Sequence, residues 1–135
     1  FVRYGVMHRN TFLDSPRLLD EWFMLRGSDN VFFGGQMTGV EGYVESAASG
    51  IIAGRALADR LGGKQPLTLP RTTMLGALCS YISDPTVENF QPMASSMGIL
   101  PSLDRVIKGK QERYGALAQR ALSDLDKALS DSEDT

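Results

Sequence analysis

The sequence predicts an α/β fold built on part of a doubly wound sheet and followed by helices. Val31, Phe32 and Phe33 form a short apolar run between turn signals, a pattern typical of a buried central strand. A glycine-rich stretch at residues 34–42 comes next, and a segment rich in small residues then reaches Leu61. A strand, a glycine-rich loop and a helix in this order make one unit of a doubly wound sheet.

Start and stop signals place the helices of the amino-terminal half. Asp14, Ser15 and Pro16 indicate the start of a short helix, because proline is favoured in the first helical turn. The helix after the glycine-rich stretch is predicted over about residues 40–61, and the glycine pair that follows is expected to end it.

Two more helices are predicted in the carboxyl-terminal half. Thr72 or Thr73 is expected to cap a helix that runs to about Ile82 and stops before Pro85. Residues 90–101 are expected to form an ordered loop. The last helix is predicted from about Leu103, or later, to Leu129. Its apolar residues repeat at helical spacing and favour packing: Leu117, Ala121, Leu122, Leu125, Ala128 and Leu129.

Composition excludes several classes of protein and site. The chain has 135 residues and a net charge of −2, so any RNA contact requires a local basic patch. Cys79 is the sole cysteine and His8 the sole histidine, which excludes a disulfide framework and any Cys- or His-based metal cluster, and no metal site is predicted. There is no membrane-length apolar run and no signal-peptide pattern. The single cysteine fits a reduced setting, and a cytoplasmic location is expected. The chain opens without Met in a strand-like stretch, as expected for a piece of a longer protein.

The glycine-rich stretch is the strongest candidate for a ligand site. Gly35, Gly39 and Gly42 remove side chains where a strand turns into a helix, so a flat or charged ligand can approach the backbone. Free N–H groups at the helix start can bind a phosphate or an electron-rich ring edge. The alternative is purely structural, because Thr38 and Glu41 match a capping box. The spacing fits neither a P-loop nor the G-x-G-x-x-G fingerprint.

Four stretches together resemble one family of flavoproteins. They are GQMTGVEGYVESAASG at residues 35–50, YGVMHRNTF at residues 4–12, LPRTT at residues 69–73 with GAL at residues 76–78, and FQPM at residues 90–93. In this order they resemble the TrmFO family of flavin- and folate-dependent tRNA uracil-5-methyltransferases, and the first is also similar in kind to the GidA/MnmG flavoproteins. Residues 94–97 depart from the pattern expected after FQPM, which puts a cofactor contact by that loop in doubt.

The resemblance implies a fold, a reaction and partners. Residues 1–110 would be the carboxyl-terminal part of a Rossmann-like FAD-binding domain, and residues 111–135 a terminal helix with an acidic tail. The enzyme would transfer a one-carbon unit from 5,10-methylenetetrahydrofolate to C5 of a T-loop uridine (position 54) in tRNA, with FAD reduced by NAD(P)H. The family's G-x-G-x-x-G fingerprint and catalytic cysteines are absent from this chain, so no catalytic residue is assigned. Activity would need the missing amino-terminal part of the same protein as a partner.

The resemblance also implies ligand-binding residues. His8, Arg9 and Asn10 would lie near the folate and the flavin, because imidazole and guanidinium groups stack on a pterin face and an Asn amide pairs with its edge. The residues expected to line FAD are Gly35, Gln36, Thr38, Gly39, Glu41, Gly42 and Tyr43.

The sequence also gives expectations for a basic cluster, two glutamates and the cysteine. Lys108, Lys110 and Arg113 can neutralise RNA phosphates, or they can form a solvated helix face, so a non-catalytic RNA- or nucleotide-binding module is the alternative function. Glu41 is expected to hold the loop or a cofactor hydroxyl. Glu45, four residues on, is expected to face solvent or to favour the helix start. Cys79 lies in an apolar helix and is expected to be structural.

Overall fold

The computed structural model describes residues 11–133. Its helices are α1 Ser15–Leu18, α2 Tyr43–Leu61, α3 Met74–Ser83 and α4 Lys110–Glu133, with short 3₁₀ turns at Gly35–Thr38 and Met97–Ile99. Extended pairing within residues 11–133 is limited to isolated bridges: Leu19 with Leu25, Met24 with Phe32, and Val40 with Met93. None of the helices in this part of the chain is long and apolar enough to cross a bilayer.

The predicted central strand is reduced to a single bridge residue. Phe32 pairs with Met24, while the side chain of Val31 is 40% exposed. A central strand needs a neighbour on each side to satisfy its backbone N–H and C=O groups, and residues 11–133 do not supply two such neighbours. This part of the chain is therefore mainly helical, and the doubly wound sheet is not seen within it.

The short helix α1 leads into a tight turn that buries an aromatic side chain. Asp20 organises this turn, because its Oδ1 accepts hydrogen bonds from the backbone N–H groups of Trp22 and Met24, each at 3.0 Å. Phe23 between them has a φ of +63°, and its side chain is fully buried. The left-handed backbone is uncommon for a bulky residue, and burial of the ring offsets its cost.

Helix α2 confirms the predicted carboxyl terminus but not the predicted start. It ends at Leu61, and Gly62 N–H donates to the Ala58 carbonyl at 3.0 Å. It begins at Tyr43, with Gly42 as the N-cap residue and no side-chain cap. The capping-box interpretation is therefore wrong. Thr38 belongs to the preceding 3₁₀ turn, where its hydroxyl donates to the Gly35 carbonyl at 2.8 Å.

Helix α3 starts and stops as predicted. The Thr73 hydroxyl accepts from Gly76 N–H at 2.9 Å and donates to the Pro70 carbonyl at 2.8 Å. The helix ends at Ser83, one residue after the expected end and before Pro85. Thr73 is therefore the cap, and it also ties α3 to the extended connector before it.

Removing this cap should measurably destabilise the protein. Thr73→Ala leaves Gly76 N–H without its acceptor, and we expect the free energy of unfolding to fall by about 1 kcal/mol. Thr73→Ser keeps the hydroxyl and should recover most of the loss. Urea unfolding followed by circular dichroism measures both variants, and equal stability of the alanine and serine variants would contradict the cap.

Helix α4 begins at Lys110, within the predicted range of starts, and ends at Glu133, beyond the predicted end at Leu129. Its link to the rest of the protein is polar as well as apolar. Asp124 accepts from the Thr72 hydroxyl at 2.6 Å, and Arg120 donates to the carbonyls of Pro101 and Ser102. Leu117 is buried, whereas Leu122 of the predicted apolar stripe is 58% exposed.

The core joins α1, α2, α3 and the loops between them. Its buried members are Leu19, Phe23, Val40, Ala53, Leu78, Cys79, Ile82 and Phe90. The buried residues of α2 are small, namely Ser49, Ala53 and Ala56, which allows this helix to approach its neighbours closely. The core thus lies directly beneath the glycine-rich loop, since Val40 and Phe90 belong to it.

Candidate functional site

The glycine-rich loop of residues 34–42 has a backbone that only glycine adopts easily. Gly39 has a φ of +88° and ends the 3₁₀ turn, with its N–H donating to the Gln36 carbonyl at 3.0 Å. Gly42 has a φ of +103° and directly precedes α2. These positive φ angles are strained for residues with a Cβ. The predicted glycines therefore determine the shape of the loop.

Two neighbouring segments hold this loop by its backbone. The buried Ser15 hydroxyl donates to the Thr38 carbonyl at 2.8 Å. On the other side, Met93 N–H donates to the Gly39 carbonyl and Glu41 N–H donates to the Met93 carbonyl, each at 2.9 Å. One segment that precedes the loop in the sequence and one that follows it therefore hold the loop in place.

Small residues of α2 let the loop lie directly on the helix. The Ser49 hydroxyl accepts from Gly35 N–H at 2.7 Å and donates to the Ser46 carbonyl at 2.8 Å. A Cβ on Gly34 would contact the Cα of Gly50 at 3.4 Å. Among the described residues, a Cβ on Gly50 itself would meet nothing within 4 Å, so close packing does not require glycine at this helical position.

A cavity of about 300 Å³ opens beside the loop and the start of α2. It is lined by Gln36, Gly42, Tyr43 and Ser46. Within residues 11–133 the Gln36 amide and the Ser46 hydroxyl make no side-chain hydrogen bonds, so their polar groups are free to meet a ligand. The Tyr43 side chain is 98% exposed at the rim. A flat ring with polar edges suits this combination of open backbone, amide, hydroxyl and aromatic groups.

The other residues predicted to line FAD differ in burial and in the contacts they make. Thr38 is fully buried, and its hydroxyl is already bonded within the turn. Glu41 is exposed and contributes its backbone N–H to the Met93 bridge. The structure therefore brings Gln36, Gly42 and Tyr43 together at one cavity and uses Thr38 as internal support.

Glu45 makes a long-range contact that the sequence pattern did not reveal. Its carboxylate accepts from the Ser95 hydroxyl at 2.6 Å and from Ser95 N–H at 3.2 Å. The hydrogen bond from the Ser95 side chain is the main cause that holds the pKa of Glu45 below its usual value. Ser95 lies 50 residues away along the chain, and no local spacing signal points to such a partner.

Cys79 is placed as a structural residue. Its side chain is buried in the core, and burial, aided by the negative charge of Glu21, raises the pKa of its thiol to about 12. A thiol with this pKa is almost entirely protonated at neutral pH and is a poor nucleophile. The prediction that Cys79 is a packing residue is confirmed.

The predicted basic residues lie at the start of α4 and just before it. Lys108, Lys110 and Arg113 are all exposed. The Lys110 Nζ lies 5.6 Å, and the Arg113 Cζ 5.7 Å, from the centre of the Tyr114 ring. The structure therefore brings two of the three cations together around one aromatic ring.

Two further predictions concern the folate-binding residues and metal binding. His8, Arg9 and Asn10, the expected folate-binding residues, lie outside the described residues. Among residues 11–133, no group of three or more acidic, His or Cys side chains is arranged to hold a metal ion.

Comparison with known proteins finds one family model and several curated proteins that are similar to this chain. Residues 1–65 match the family model described as "Glucose inhibited division protein A". A Staphylococcus epidermidis protein named "Methylenetetrahydrofolate--tRNA-(uracil-5-)-methyltransferase TrmFO" is 57% identical over 126 residues, which is 93% of this chain and 29% of that protein. Proteins of the same name from Streptococcus agalactiae and Staphylococcus carnosus are each 54% identical, over 96% and 93% of this chain and 30% and 29% of their own lengths. The chain thus spans about 30% of the length of these curated relatives.

Proposed function

We propose, on the basis of its 57% identity over 126 residues to the Staphylococcus epidermidis protein named TrmFO, that the chain belongs to the TrmFO family and forms one wall of the flavin site of a tRNA methyltransferase. The proposed reaction moves a one-carbon unit from 5,10-methylenetetrahydrofolate to C5 of a T-loop uridine, with NAD(P)H as the reductant of FAD. Bound FAD would supply the redox chemistry. The chain spans 29% of the Staphylococcus epidermidis relative, so we assign it only a share of the binding site.

The cavity beside the glycine-rich loop is the observation that carries this proposal. The Gln36 amide and the Ser46 hydroxyl line it and are not engaged by other residues of the described chain. Gly42 leaves the backbone open, and Tyr43 provides an exposed aromatic face. These groups fit the polar edge and the flat face of a flavin ring. They bind and orient the ring and exclude water from one side of it.

We propose that polypeptide equivalent to the remainder of a TrmFO protein covers the outer face of α2 and completes a Rossmann-like sheet. Tyr43, Val44, Ile51 and Leu61 on this helix are 98%, 79%, 71% and 81% exposed. The opposite face of α2 is already buried in the core. A helix that is apolar on both sides is typical of one packed between two layers. This amino-terminal polypeptide is the proposed partner.

The folate assignment stays a proposal from sequence. His8, Arg9 and Asn10 precede the described residues, and their side chains have the stacking and hydrogen-bonding groups that a pterin needs. A cytoplasmic location likewise follows from the proposed substrate, tRNA.

A chimeric enzyme tests the flavin proposal directly. The 126-residue matched segment of the Staphylococcus epidermidis TrmFO is replaced by this chain. We expect the purified chimera to retain FAD, seen by its visible absorbance, and to methylate a tRNA transcript. The double variant Gln36→Ala with Ser46→Ala should lower FAD affinity about tenfold, which corresponds to roughly 1.4 kcal/mol.

The unmodified relative is the positive control for this experiment. Circular dichroism establishes that the chimera is folded before its flavin content is measured. A folded chimera that holds no FAD, while the unmodified relative holds it, would overturn the proposal.

The start of α4 is the proposed tRNA contact. Lys110 and Arg113 lie in the first turn, where cations oppose the helix dipole, so these charges do not stabilise the helix. An aromatic ring flanked by two cations offers both phosphate contacts and a stacking surface. This pair carries the alternative function as well, a non-catalytic RNA- or nucleotide-binding module.

Neutralising this pair should weaken tRNA binding in a salt-dependent way. For Lys110→Gln with Arg113→Gln we expect the slope of log K against log salt to fall by about 2, because each phosphate contact contributes roughly 1. Fluorescence anisotropy with labelled tRNA over a salt series measures the slope. Lys127→Gln, an exposed lysine in the second half of α4, is the matched control. An unchanged slope in the double variant would exclude α4 as the contact.

A chimera that binds tRNA but never FAD would favour the alternative function.

A further inference from the structure

We propose that Glu45 is a positioning residue for the flavin site, acting through Ser95 to fix the shape of residues 39–42. This inference rests on the proposed function. Glu45 does not line the cavity. It lies in the first turn of α2, next to Ser46, which does. Its role is therefore to hold other groups in place rather than to contact the ligand.

One side of the arrangement is the double contact to Ser95. The same carboxylate oxygen, Oε1, accepts the hydroxyl at 2.6 Å and the backbone N–H at 3.2 Å. A bond from an ionised acceptor is stronger than one between neutral groups. Because both donors belong to one residue, the contact fixes the position of the backbone at Ser95 as well as that of its side chain.

The second side is the bridge at Met93, two residues before Ser95. Met93 N–H donates to the Gly39 carbonyl, and Glu41 N–H donates to the Met93 carbonyl, each at 2.9 Å. Residues 93–95 are therefore bonded to the glycine-rich loop at one end and to α2 at the other. This segment sets the separation between the loop and the first helical turn, where the cavity lies.

The third side is the close fit between Glu45 and Gly42. The other carboxylate oxygen, Oε2, occupies the space that a Cβ on Gly42 would need. Gly42 lines the cavity with a φ of +103°. A displaced carboxylate would release Ser95 and leave open the space beside Gly42 that it now fills, so the carboxylate position and the cavity shape are coupled.

The test combines two measurements on Glu45→Gln and Ser95→Ala. In the 135-residue chain, amide hydrogen exchange at Glu41 and Met93 should accelerate about tenfold in both variants. In the chimeric enzyme, the FAD dissociation constant should rise about fivefold for Glu45→Gln and about tenfold for Ser95→Ala, at a melting temperature that stays within error of the parent. The visible absorption bands of the remaining bound FAD should shift, because the ring is held less firmly.

Glu112→Gln is the matched control, since Glu112 occupies the first turn of α4 and has the same relation to a helix dipole. It should change neither exchange at the loop nor FAD affinity. Unchanged exchange in both test variants would overturn the positioning role whatever the flavin result. Faster exchange with unchanged FAD affinity and spectrum would overturn it too. A folded parent chimera without FAD would instead overturn the proposed function and, with it, this role.

Discussion

Replacing Gly39 by alanine should lower the free energy of unfolding by about 2–4 kcal/mol, because strain and overlap add. Gly39 has a φ of +88°, where a residue with a Cβ is strained. The new Cβ would also overlap the ring of Phe90. That ring is only 7% exposed and lies 5.5 Å from the Tyr81 ring, centre to centre, so it has little room to move. Equilibrium urea unfolding measures the loss.

Two companion variants separate the causes of this loss. Gly54→Ala on α2 meets nothing within 4 Å and should raise stability by about 0.5–1 kcal/mol, as expected for glycine within a helix. Phe90→Leu combined with Gly39→Ala should lose less than the sum of the single changes, because the overlap is relieved. Strict additivity would show that the φ angle alone is responsible.

The Gly39→Ala substitution should also make the chimeric enzyme lose FAD. Gly39 is bonded through its carbonyl to Met93, and Val40 next to it is fully buried in the core. A shift at Gly39 therefore moves the whole loop that borders the cavity. We expect FAD content after purification to fall well below that of the parent chimera, and full retention of FAD would contradict the placement of the site at this loop.

Replacing Gly76 by alanine should destabilise the protein by roughly 3 kcal/mol or more, through overlap with backbone atoms. A Cβ on Gly76 would overlap the Pro70 carbonyl and approach the Thr73 Oγ1 to 2.8 Å. The Pro70 carbonyl is fixed, because it accepts from both the N–H and the hydroxyl of Thr73. The new methyl group thus forces apart the connector and the first turn of α3.

Thermal unfolding measures this second effect. The melting temperature of Gly76→Ala should fall by roughly 10 °C for a domain of this size. Gly115→Ala is the matched control, since Gly115 is also helical and a Cβ there meets nothing within 4 Å. A melting temperature for Gly76→Ala close to that of Gly115→Ala would show that the connector yields freely.

Local sequence signals were sufficient to predict several helix ends and one helix cap. The Thr73 cap, the end of α2 at Leu61 and the short helix at Ser15 all depend on interactions between residues a few positions apart. Such interactions are the same wherever the sequence occurs, so they can be read without the fold. The predicted strand at Phe32 was not found as a strand, because pairing requires partners that local sequence does not provide.

The sequence by itself determined the family resemblance, the glycine-rich loop and the order of the helices. Only the tertiary structure decided which side chains face the cavity and which support it. The Thr38 side chain is buried and its hydroxyl donates to the Gly35 carbonyl. The Gln36 side chain lines the cavity together with Ser46. Glu45 met Ser95 because the bridge at Met93 carries that segment to the start of α2. The Glu45–Ser95 contact and the Met93 bridge join residues about 50 positions apart, and long-range packing rather than periodicity determines them.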